Sequence, residues 1–219
     1  MAERKRCQGL NSKCFLVTYL VIVSFLLILW FTRSGLIQED LRVIPAELSA
    51  YITSPPRHVD DIQVAYNGKR ALTHNVFNEK WTMVYFSHLN CLPACLQVFN
   101  KLAVFQSAYA SQDVSVLLIS LDTEASAIGK LAQGLDEKGF NFQVLESENE
   151  AVIERLAKTF VALYLKTDLS NGGYQIEQEH HLFLVDPQSR VYAVFDEQTT
   201  TSIIESSFPA IRGFYAKSE

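Results

Sequence analysis

Glycine, proline and repeated sequence are all scarce in this chain. Only 9 glycines and 6 prolines occur among 219 residues, whereas 48% of the residues are hydrophobic. This composition is typical of a folded protein and excludes a largely disordered one. The sequence has no internal repeat and no low-complexity tract. A chain of this length has room for one domain of ordinary size and a membrane anchor, but not comfortably for two domains.

Positive charge is also scarce once the N-terminus is passed. Beyond residue 33 the chain carries 14 basic and 23 acidic side chains. Binding to a phosphate backbone depends on clustered lysine and arginine. The charge balance therefore argues against a nucleic-acid-binding protein.

One stretch has no charge at all, namely residues 15–32, which are predominantly apolar. Eighteen residues at helical rise nearly span the hydrocarbon core of a bilayer. Arg4, Lys5, Arg6 and Lys13 precede the stretch, and only Arg33 follows closely. The positive-inside rule then leaves residues 1–14 in the cytoplasm and exports everything after the anchor. We expect a single transmembrane helix at residues 15–32.

The alternative to a retained anchor is a cleaved signal peptide. Such a peptide is followed by a small-residue cleavage site, and residues 29–35 (Leu-Trp-Phe-Thr-Arg-Ser-Gly) make a poor one. An Arg-rich and Ser-rich transit peptide is absent as well. We therefore expect a bacterial inner-membrane protein that crosses the membrane once, with its soluble domain in the periplasm. Residues 33–60, which contain Ser54-Pro55-Pro56, are predicted to be a linker, and residues 61–219 the folded domain.

The folded domain alternates between strand and helix patterns. Asn67-Gly68 predicts a hairpin turn, and the runs 81–86 and 114–121 predict buried strands. Helices are expected at 93–108, 123–138 and 202–217, and a shorter one that ends at Phe160 with Asn149 as its N-cap. The runs 181–185 and 190–195 predict a second, antiparallel hairpin, and 142–145 a short strand. This order predicts an α/β sandwich of the thioredoxin-like kind.

Four cysteines are present, and the predicted topology divides them. Cys7 and Cys14 fall on the cytoplasmic side, where thiols stay reduced, and no function is assigned to them. Cys91 and Cys95 fall on the exported side, where a strand passes into a helix. Pro93 suits the first turn of that helix, so Cys91 lies near its N-terminus, where the dipole lowers a thiol pKa. Cys95 follows about one turn later on the same face.

This pair of cysteines can serve two kinds of chemistry. It can cycle between dithiol and disulfide, with Cys91 attacking and Cys95 resolving, or it can offer two soft thiolates to a metal such as copper(I). An inert structural disulfide is the remaining alternative, although a bridge across so short a loop stabilises little.

A copper site also needs a third ligand, and the sequence offers five histidines. His58 and His74 are expected in exposed loops, and His88 in the turn ahead of the cysteines. His180 and His181 open a late strand, where neighbours alternate faces, so only one of the two can face the cysteines.

The ordered set of motifs resembles the Sco/SenC family of copper chaperones for cytochrome c oxidase assembly. The strand 81–86 leads into Phe86-Ser-His88 and then into the Cys91-x-x-x-Cys95 pair. Ser120-Leu-Asp122 is similar to that family's Ser-x-Asp, and residues 184–190 (Leu-Val-Asp-Pro-Gln-Ser-Arg) to its late hairpin, with Ser189 in place of glycine. The motifs match in order over about residues 60–215. An N-terminal membrane anchor followed by an exported domain is also the layout of that family.

The resemblance implies that Cys91 and Cys95 carry copper or form a redox pair, with Asp122 as an auxiliary acidic residue. It implies as client the copper-bearing subunit of cytochrome c oxidase, or another exported protein with cysteines. Gln178 stands where the family has its metal-binding histidine. A two-residue deletion in the hairpin region brings His180 into that position, with matching strand parity, and His180 is therefore the expected third ligand.

Three functions follow from these observations. The first is a copper chaperone or metallation factor that also reduces its client. The second is a membrane-tethered thiol–disulfide oxidoreductase without metal. It would differ from ordinary thioredoxins, because three residues separate its cysteines and no proline lies between Pro93 and Pro187 to face them. The third is a thioredoxin-like binding module with an inert disulfide.

Overall fold

The computed structural model describes residues 12–35, 43–91, 94–110, 112–170 and 172–218. The chain divides into two compact units, Met1–Val43 and Ile44–Glu219. In the first unit the described residues form one helix, α1, at Ser12–Gly35. Across the described ranges, no helix combines the length and the apolar character needed to cross a membrane. The anchor predicted at residues 15–32 therefore has no support from the fold.

The second unit contains ten strands and five helices within the described ranges. The strands are β1 (Ile52–His58), β2 (Gln63–Tyr66), β3 (Lys69–Leu72), β4 (Trp81–Ser87), β5 (Val114–Ser120), β6 (Gln143–Glu146), β7 (Tyr164–Asp168), β8 (Tyr174–Gln178), β9 (Leu182–Val185) and β10 (Arg190–Phe195). The helices are α2 (Thr73–Phe77), α3 (Ala94–Ala108), α4 (Ala125–Glu137), α5 (Glu150–Phe160) and α6 (Thr201–Ser218).

Eight of the strands form one mixed sheet in the order β1-β10-β9-β4-β5-β6-β2-β3. The neighbours β4, β5 and β6 are parallel and are joined by the helices α3 and α4. The pairs β9–β4, β10–β9 and β1–β10 are antiparallel. Parallel strands with helical crossovers followed by an antiparallel hairpin are the predicted arrangement, and the thioredoxin-like fold is confirmed.

Both faces of the sheet are covered, and the central strands supply alternate residues to two hydrophobic cores. In β4, Trp81, Met83 and Tyr85 pack into the core that also holds residues of α3, α4 and α6. Val84 and Phe86 pack into the other core, with residues of α2 and α5. Side chains of a strand alternate between faces, so a strand covered on both faces has no solvent-exposed position. Every residue of β4 is accordingly buried.

Local signals in the sequence account for several of the boundaries. Asn67 and Gly68 both have positive φ angles, 49° and 72°, in the tight turn between β2 and β3. The side chain of Asn149 accepts a hydrogen bond from the backbone N–H of Ala151 and caps α5, as predicted.

The structure differs from the sequence prediction at the linker. Part of the segment predicted as a linker forms strand β1, which pairs antiparallel with β10 and carries the buried Ile52. Proline lacks an N–H for the sheet, but β1 is an edge strand, where that donor is not needed. The register shifts between Ile52 and Arg57, the stretch that holds Pro55 and Pro56. The folded unit thus begins before residue 61.

Strands β7 and β8 were not predicted and form a separate two-stranded antiparallel sheet. Only Ile176 among the residues of these two strands is buried. The backbone N–H of Glu179 donates to the carbonyl of Leu163, which closes the base of this hairpin. Gln178 is the last residue of this hairpin, and His180 lies between the hairpin and β9.

Candidate functional site: a cysteine pair beside an imidazole

The two cysteines lie where the central strand passes into a helix. Strand β4 ends at Ser87, a 3₁₀ turn covers Leu89–Cys91, and α3 begins at Ala94. Cys91 thus precedes the helix and Cys95 lies in its first turn, as the sequence predicts. Leu92 and Pro93 lie outside the described residues, so the role predicted for Pro93 remains a prediction.

Cys91 and Cys95 are joined by a disulfide, with their Cα atoms 5.5 Å apart. The two sulfurs therefore meet, as the sequence predicts. The residues differ in exposure, because Cys91 is 6% exposed and Cys95 is 0% exposed. Cys91 is thus the more exposed residue of the two.

The hydroxyl of Tyr85 connects the disulfide to a histidine. Its oxygen lies 3.1 Å from the sulfur of Cys95 and 2.6 Å from Nδ1 of His180. Tyr85 is fully buried in β4, and burial raises the pKa of its phenol well above the usual range. The hydroxyl therefore stays protonated and has a hydrogen to donate at neutral pH.

Gln178 fixes the position of this hydroxyl. Its Nε2 donates to the oxygen of Tyr85 at 2.9 Å and to the backbone carbonyl of Phe86 at 2.8 Å. Within the described ranges, its buried Oε1 has no hydrogen-bond partner. Gln178 thus acts as an amide that holds the Tyr85 hydroxyl in place.

The two adjacent histidines lie in different environments. His180 contacts Tyr85, with ring centroids 6.1 Å apart, next to the disulfide. His181 instead lies 3.5 Å from a carboxylate oxygen of Glu179 and against Phe183, which belongs to the core on the opposite face of the sheet. Of the two histidines, His180 is the one beside the cysteines.

His88 directly precedes the 3₁₀ turn that ends at Cys91 and is only 6% exposed. Its backbone carbonyl accepts from the N–H of Cys91 at 3.2 Å. Burial lowers the pKa of its imidazole, and the charge of His180 lowers it further, while Asp122 opposes both effects. The sequence predicted only that His88 lies in the turn ahead of the cysteines, and the structure shows that it is buried there. The lowered pKa favours the neutral imidazole near pH 7.

Asp122 holds the loop of the site in place. One carboxylate oxygen accepts from the backbone N–H of Leu89 and the other from the hydroxyl of Tyr174, both at 2.6 Å. Burial and this acidic partner raise the pKa of Tyr174. The auxiliary acidic residue expected from the resemblance is therefore close to the pair, and its contacts tie the β4 turn to the β7–β8 hairpin.

The remaining candidates lie elsewhere. His58 is the last residue of β1 rather than a linker residue, and Nδ1 of His74 lies 2.8 Å from a carboxylate oxygen of Asp61 at the start of α2. The side chains of Cys7 and Cys14 lie outside the described part of the chain. Across residues 43–91, 94–110, 112–170 and 172–218, no three His, Cys, Asp or Glu side chains are arranged to hold a metal ion.

The donor set nevertheless suits one metal once the disulfide is opened. Two thiolates are soft ligands, and together with an imidazole they favour copper(I) over a hard cation such as Mg²⁺. In the disulfide form the sulfurs are bonded to each other and are not thiolates, so they can bind the metal only after reduction. The site can therefore hold copper(I) or exchange disulfides, depending on its oxidation state.

Tyr85 was missed by sequence reasoning, and Gln178 was noted only as a departure from the family pattern. The parity of β4 places Tyr85 on the face covered by the cysteine-bearing helix, so that much was readable. Its contact with His180 depends on how the β8–β9 connection crosses the end of β4, for which the sequence has no signal.

The model of a known family, SCO1/SenC, matches residues 56–210. The chain belongs to the SCO1/SenC family. The match covers most of the folded unit and includes both cysteines, Asp122, His180 and the β9–β10 hairpin.

Comparison with individual SCO1/SenC relatives agrees with this assignment. A curated Arabidopsis thaliana protein, "SCO1 homolog 1, mitochondrial", is 25% identical over 125 residues, which make up 56% of this chain and 37% of that protein. The chain thus matches little more than a third of the length of that relative. The crystal structure of Arabidopsis ScoI with copper bound has a TM-score of 0.59 at 19% identity and covers 70% of this chain and 95% of that one. Bradyrhizobium japonicum ScoI with copper bound has a TM-score of 0.59 at 18% identity and covers 72% and 99%.

Proposed function

We propose that this SCO1/SenC protein is a copper chaperone that carries copper(I) on Cys91 and Cys95 as cargo. The observation that carries the proposal is the cysteine pair in a thioredoxin-like fold, with the Tyr85 hydroxyl in contact with both the sulfur of Cys95 and the imidazole of His180. Two relatives of the same fold are described as having copper bound. The proposed ligands are the two sulfurs and a nitrogen of His180.

Loading begins with reduction of the disulfide, since only thiolates bind the metal. The metal then draws both sulfurs to itself, and His180 must exchange its contact with Tyr85 for the metal if it binds through Nδ1. Metal–nitrogen bonds are about 2 Å long, so a small movement of the His180 segment is required. That segment follows an exposed hairpin with one buried residue, which leaves it room to adjust.

We propose the copper-bearing subunit of cytochrome c oxidase as the client, or another exported protein with a cysteine pair. The support is family membership and the resemblance set out in the sequence analysis. The chain would deliver copper to the client or reduce the client's copper-site cysteines. The second task is thiol–disulfide exchange and uses the same two residues.

A metal-free thiol–disulfide oxidoreductase tethered to the membrane is the second candidate. Two observations favour it, namely the closed disulfide and the Tyr85 hydroxyl, which lies between the sulfur of Cys95 and the imidazole of His180. In this alternative Cys91 forms the mixed disulfide, because it is the more exposed residue of the pair.

We further propose that the chain is a single-pass protein of a bacterial inner membrane, with residues 1–14 in the cytoplasm and the folded unit in the periplasm. The support is the sequence alone, namely the uncharged run at 15–32 and the basic residues before it. On the periplasmic side a disulfide can form and persist.

Copper(I) titration of the whole reduced chain against a chromogenic chelator tests the leading proposal. The chain carries Cys7→Ser and Cys14→Ser so that only the pair can bind. We expect one copper per chain, and loss of that binding in the further variant Cys95→Ser. Absence of binding in the parent chain, together with rapid exchange with a dithiol, would replace the chaperone by the oxidoreductase.

A further inference from the structure

We infer that the Tyr85 hydroxyl is a catalytic residue that donates a hydrogen bond to the sulfur of Cys95 as it leaves during reduction of the disulfide. The inference rests on the proposed function insofar as both candidate functions require this disulfide to open. It assigns a role to a residue that carries neither the metal nor the disulfide.

The exposure of the two cysteine residues sets the direction of the reaction. An external thiolate attacks Cys91, which is 6% exposed, because Cys95 is 0% exposed. A bond forms between the incoming sulfur and Cys91, the Cys91–Cys95 bond breaks, and its electron pair passes to Cys95 as a thiolate. The second thiol of the reductant then attacks the incoming sulfur and releases Cys91. The dithiol is oxidised to a disulfide, and the pair gains two electrons.

The thiolate of Cys95 is formed in a buried place, and an unpaired buried charge is unfavourable. Ser87 does not stabilise this thiolate, because its hydroxyl lies 3.4 Å from the sulfur of Cys91 and is hydrogen-bonded to Cys91 instead. The Tyr85 oxygen is 3.1 Å from the sulfur of Cys95. Among the described residues, Tyr85 is thus the side chain that can stabilise the Cys95 thiolate by a hydrogen bond.

The surroundings of Tyr85 prepare it for this contact. Its ring packs edge-on against Phe99 of the cysteine-bearing helix, with centroids 6.0 Å apart, so the oxygen is held in place. Gln178 donates to that oxygen, which leaves the O–H hydrogen for either His180 or Cys95. A thiolate accepts a hydrogen bond more strongly than a disulfide sulfur does, because a charged acceptor strengthens the bond. The hydroxyl therefore turns from His180 towards Cys95 as the charge develops.

The test compares two buried tyrosines of the same core. Tyr85→Phe removes the hydroxyl and keeps the ring. Tyr192→Phe is the matched control, because Tyr192 is also fully buried and its hydroxyl has no hydrogen-bond partner in the described ranges. Each variant is made in the whole chain with Cys7→Ser and Cys14→Ser, and reduction by dithiothreitol is followed by alkylation and mass spectrometry. Thermal unfolding is recorded in parallel to verify that each variant is folded.

Loss of a hydrogen bond to a charged group slows a step by roughly tenfold or more. We expect at least that loss of reduction rate in Tyr85→Phe and a rate close to that of the parent in Tyr192→Phe. An unchanged or faster rate in Tyr85→Phe overturns the inference, and so does an equal loss in both variants, which points to general loosening of the core. Copper(I) titration of the parent chain is a separate readout. If the parent chain binds copper and the Tyr85→Phe variant is reduced at the parent's rate, the proposed function stands. Only the role assigned to Tyr85 is then wrong.

Discussion

At the scale of single residues, two neighbouring histidines are held by different partners. His180 shares the Tyr85 hydroxyl with Cys95, whereas His181 lies near Glu179 and contacts Phe183 of the opposite core. One-residue alternation along an extended chain produces this difference. Substitution of His181 therefore provides an internal control for His180, the proposed third copper ligand.

We expect His180→Ala to weaken copper(I) binding by the reduced chain and His181→Ala to leave it nearly unchanged. Even residues that only support a ligand contribute roughly 10–100-fold to metal affinity, so loss of the ligand should cost at least about tenfold. Competition with a chromogenic chelator measures both variants. Equal weakening by the two substitutions, or weakening by His181→Ala alone, contradicts the assignment of His180.

The buried imidazole of His88 makes stability depend on pH. Because burial lowers its pKa, the unfolded chain gains a proton first as the pH falls below about 6.5, the ordinary pKa of histidine. The native state therefore loses stability from that pH downwards until its own imidazole is protonated. We expect His88→Gln, which cannot protonate, to show a smaller fall in melting temperature between pH 7.5 and pH 5. A fall as large as that of the parent chain contradicts this account of His88.

At the scale of elements, a buried ion pair and a strained residue define the β9–β10 turn. Asp186 is fully buried, its carboxylate lies 2.7 Å from Nε of Arg190, and it also accepts from the backbone N–H of Gln188. Ser189 in this turn has a φ angle of 59°, in the left-handed region that favours glycine. The resemblance placed a glycine at this position, and the backbone explains why.

We expect Ser189→Gly to raise the free energy of unfolding by about 1 kcal/mol, because glycine adopts this φ angle without steric cost. Ser206→Gly is the matched control, since Ser206 is an exposed residue inside α6. There glycine should destabilise the protein by roughly 0.5–1 kcal/mol. Urea unfolding of both variants measures the two effects, and a loss of stability in Ser189→Gly would show that the serine side chain contributes more than its backbone costs.

The sequence predicted the elements whose signals are local. Asn67-Gly68, the apolar run of β4 and the Asn149 cap each depend on a few adjacent residues, and each is confirmed. Strand β1 was predicted as linker, because two prolines argue against a strand unless it lies at an edge. Edge position is a property of the sheet, and nothing within residues 52–58 reveals it.

Strands β7 and β8 could not be predicted for a different reason. Their residues are mostly exposed or half-buried, so they lack the regular apolar alternation that marks a strand packed on a core. The site shows the same division. The spacing of Cys91 and Cys95 predicted their encounter, whereas the Tyr85–His180 contact joins residues 95 positions apart.

At the scale of the whole molecule, the proposed topology assigns different tasks to the two compact units. Residues 15–32 would hold the chain in the membrane, and residues 44–219 would present the cysteine pair in the periplasm. We expect the whole chain to remain with bacterial membranes after carbonate extraction, and a secreted form lacking residues 1–33 to be released. Release of the whole chain by carbonate contradicts the anchor.

Topology is measured separately from anchoring. A reporter enzyme that is active only in the periplasm, fused after Glu219, should be active, whereas one that is active only in the cytoplasm should not. The opposite pattern would place the cysteines in a reducing compartment, where a disulfide rarely persists. It would also remove the proposed access to an exported client.

The central claim is that the reduced Cys91–Cys95 pair binds copper(I) together with His180. X-ray absorption at the copper edge of the loaded chain, with Cys7→Ser and Cys14→Ser, tests it most directly. We predict two sulfur ligands and one nitrogen ligand in the parent, and two sulfurs without that nitrogen in His180→Ala. A copper environment without sulfur would contradict the claim, as would a nitrogen signal that persists unchanged in His180→Ala.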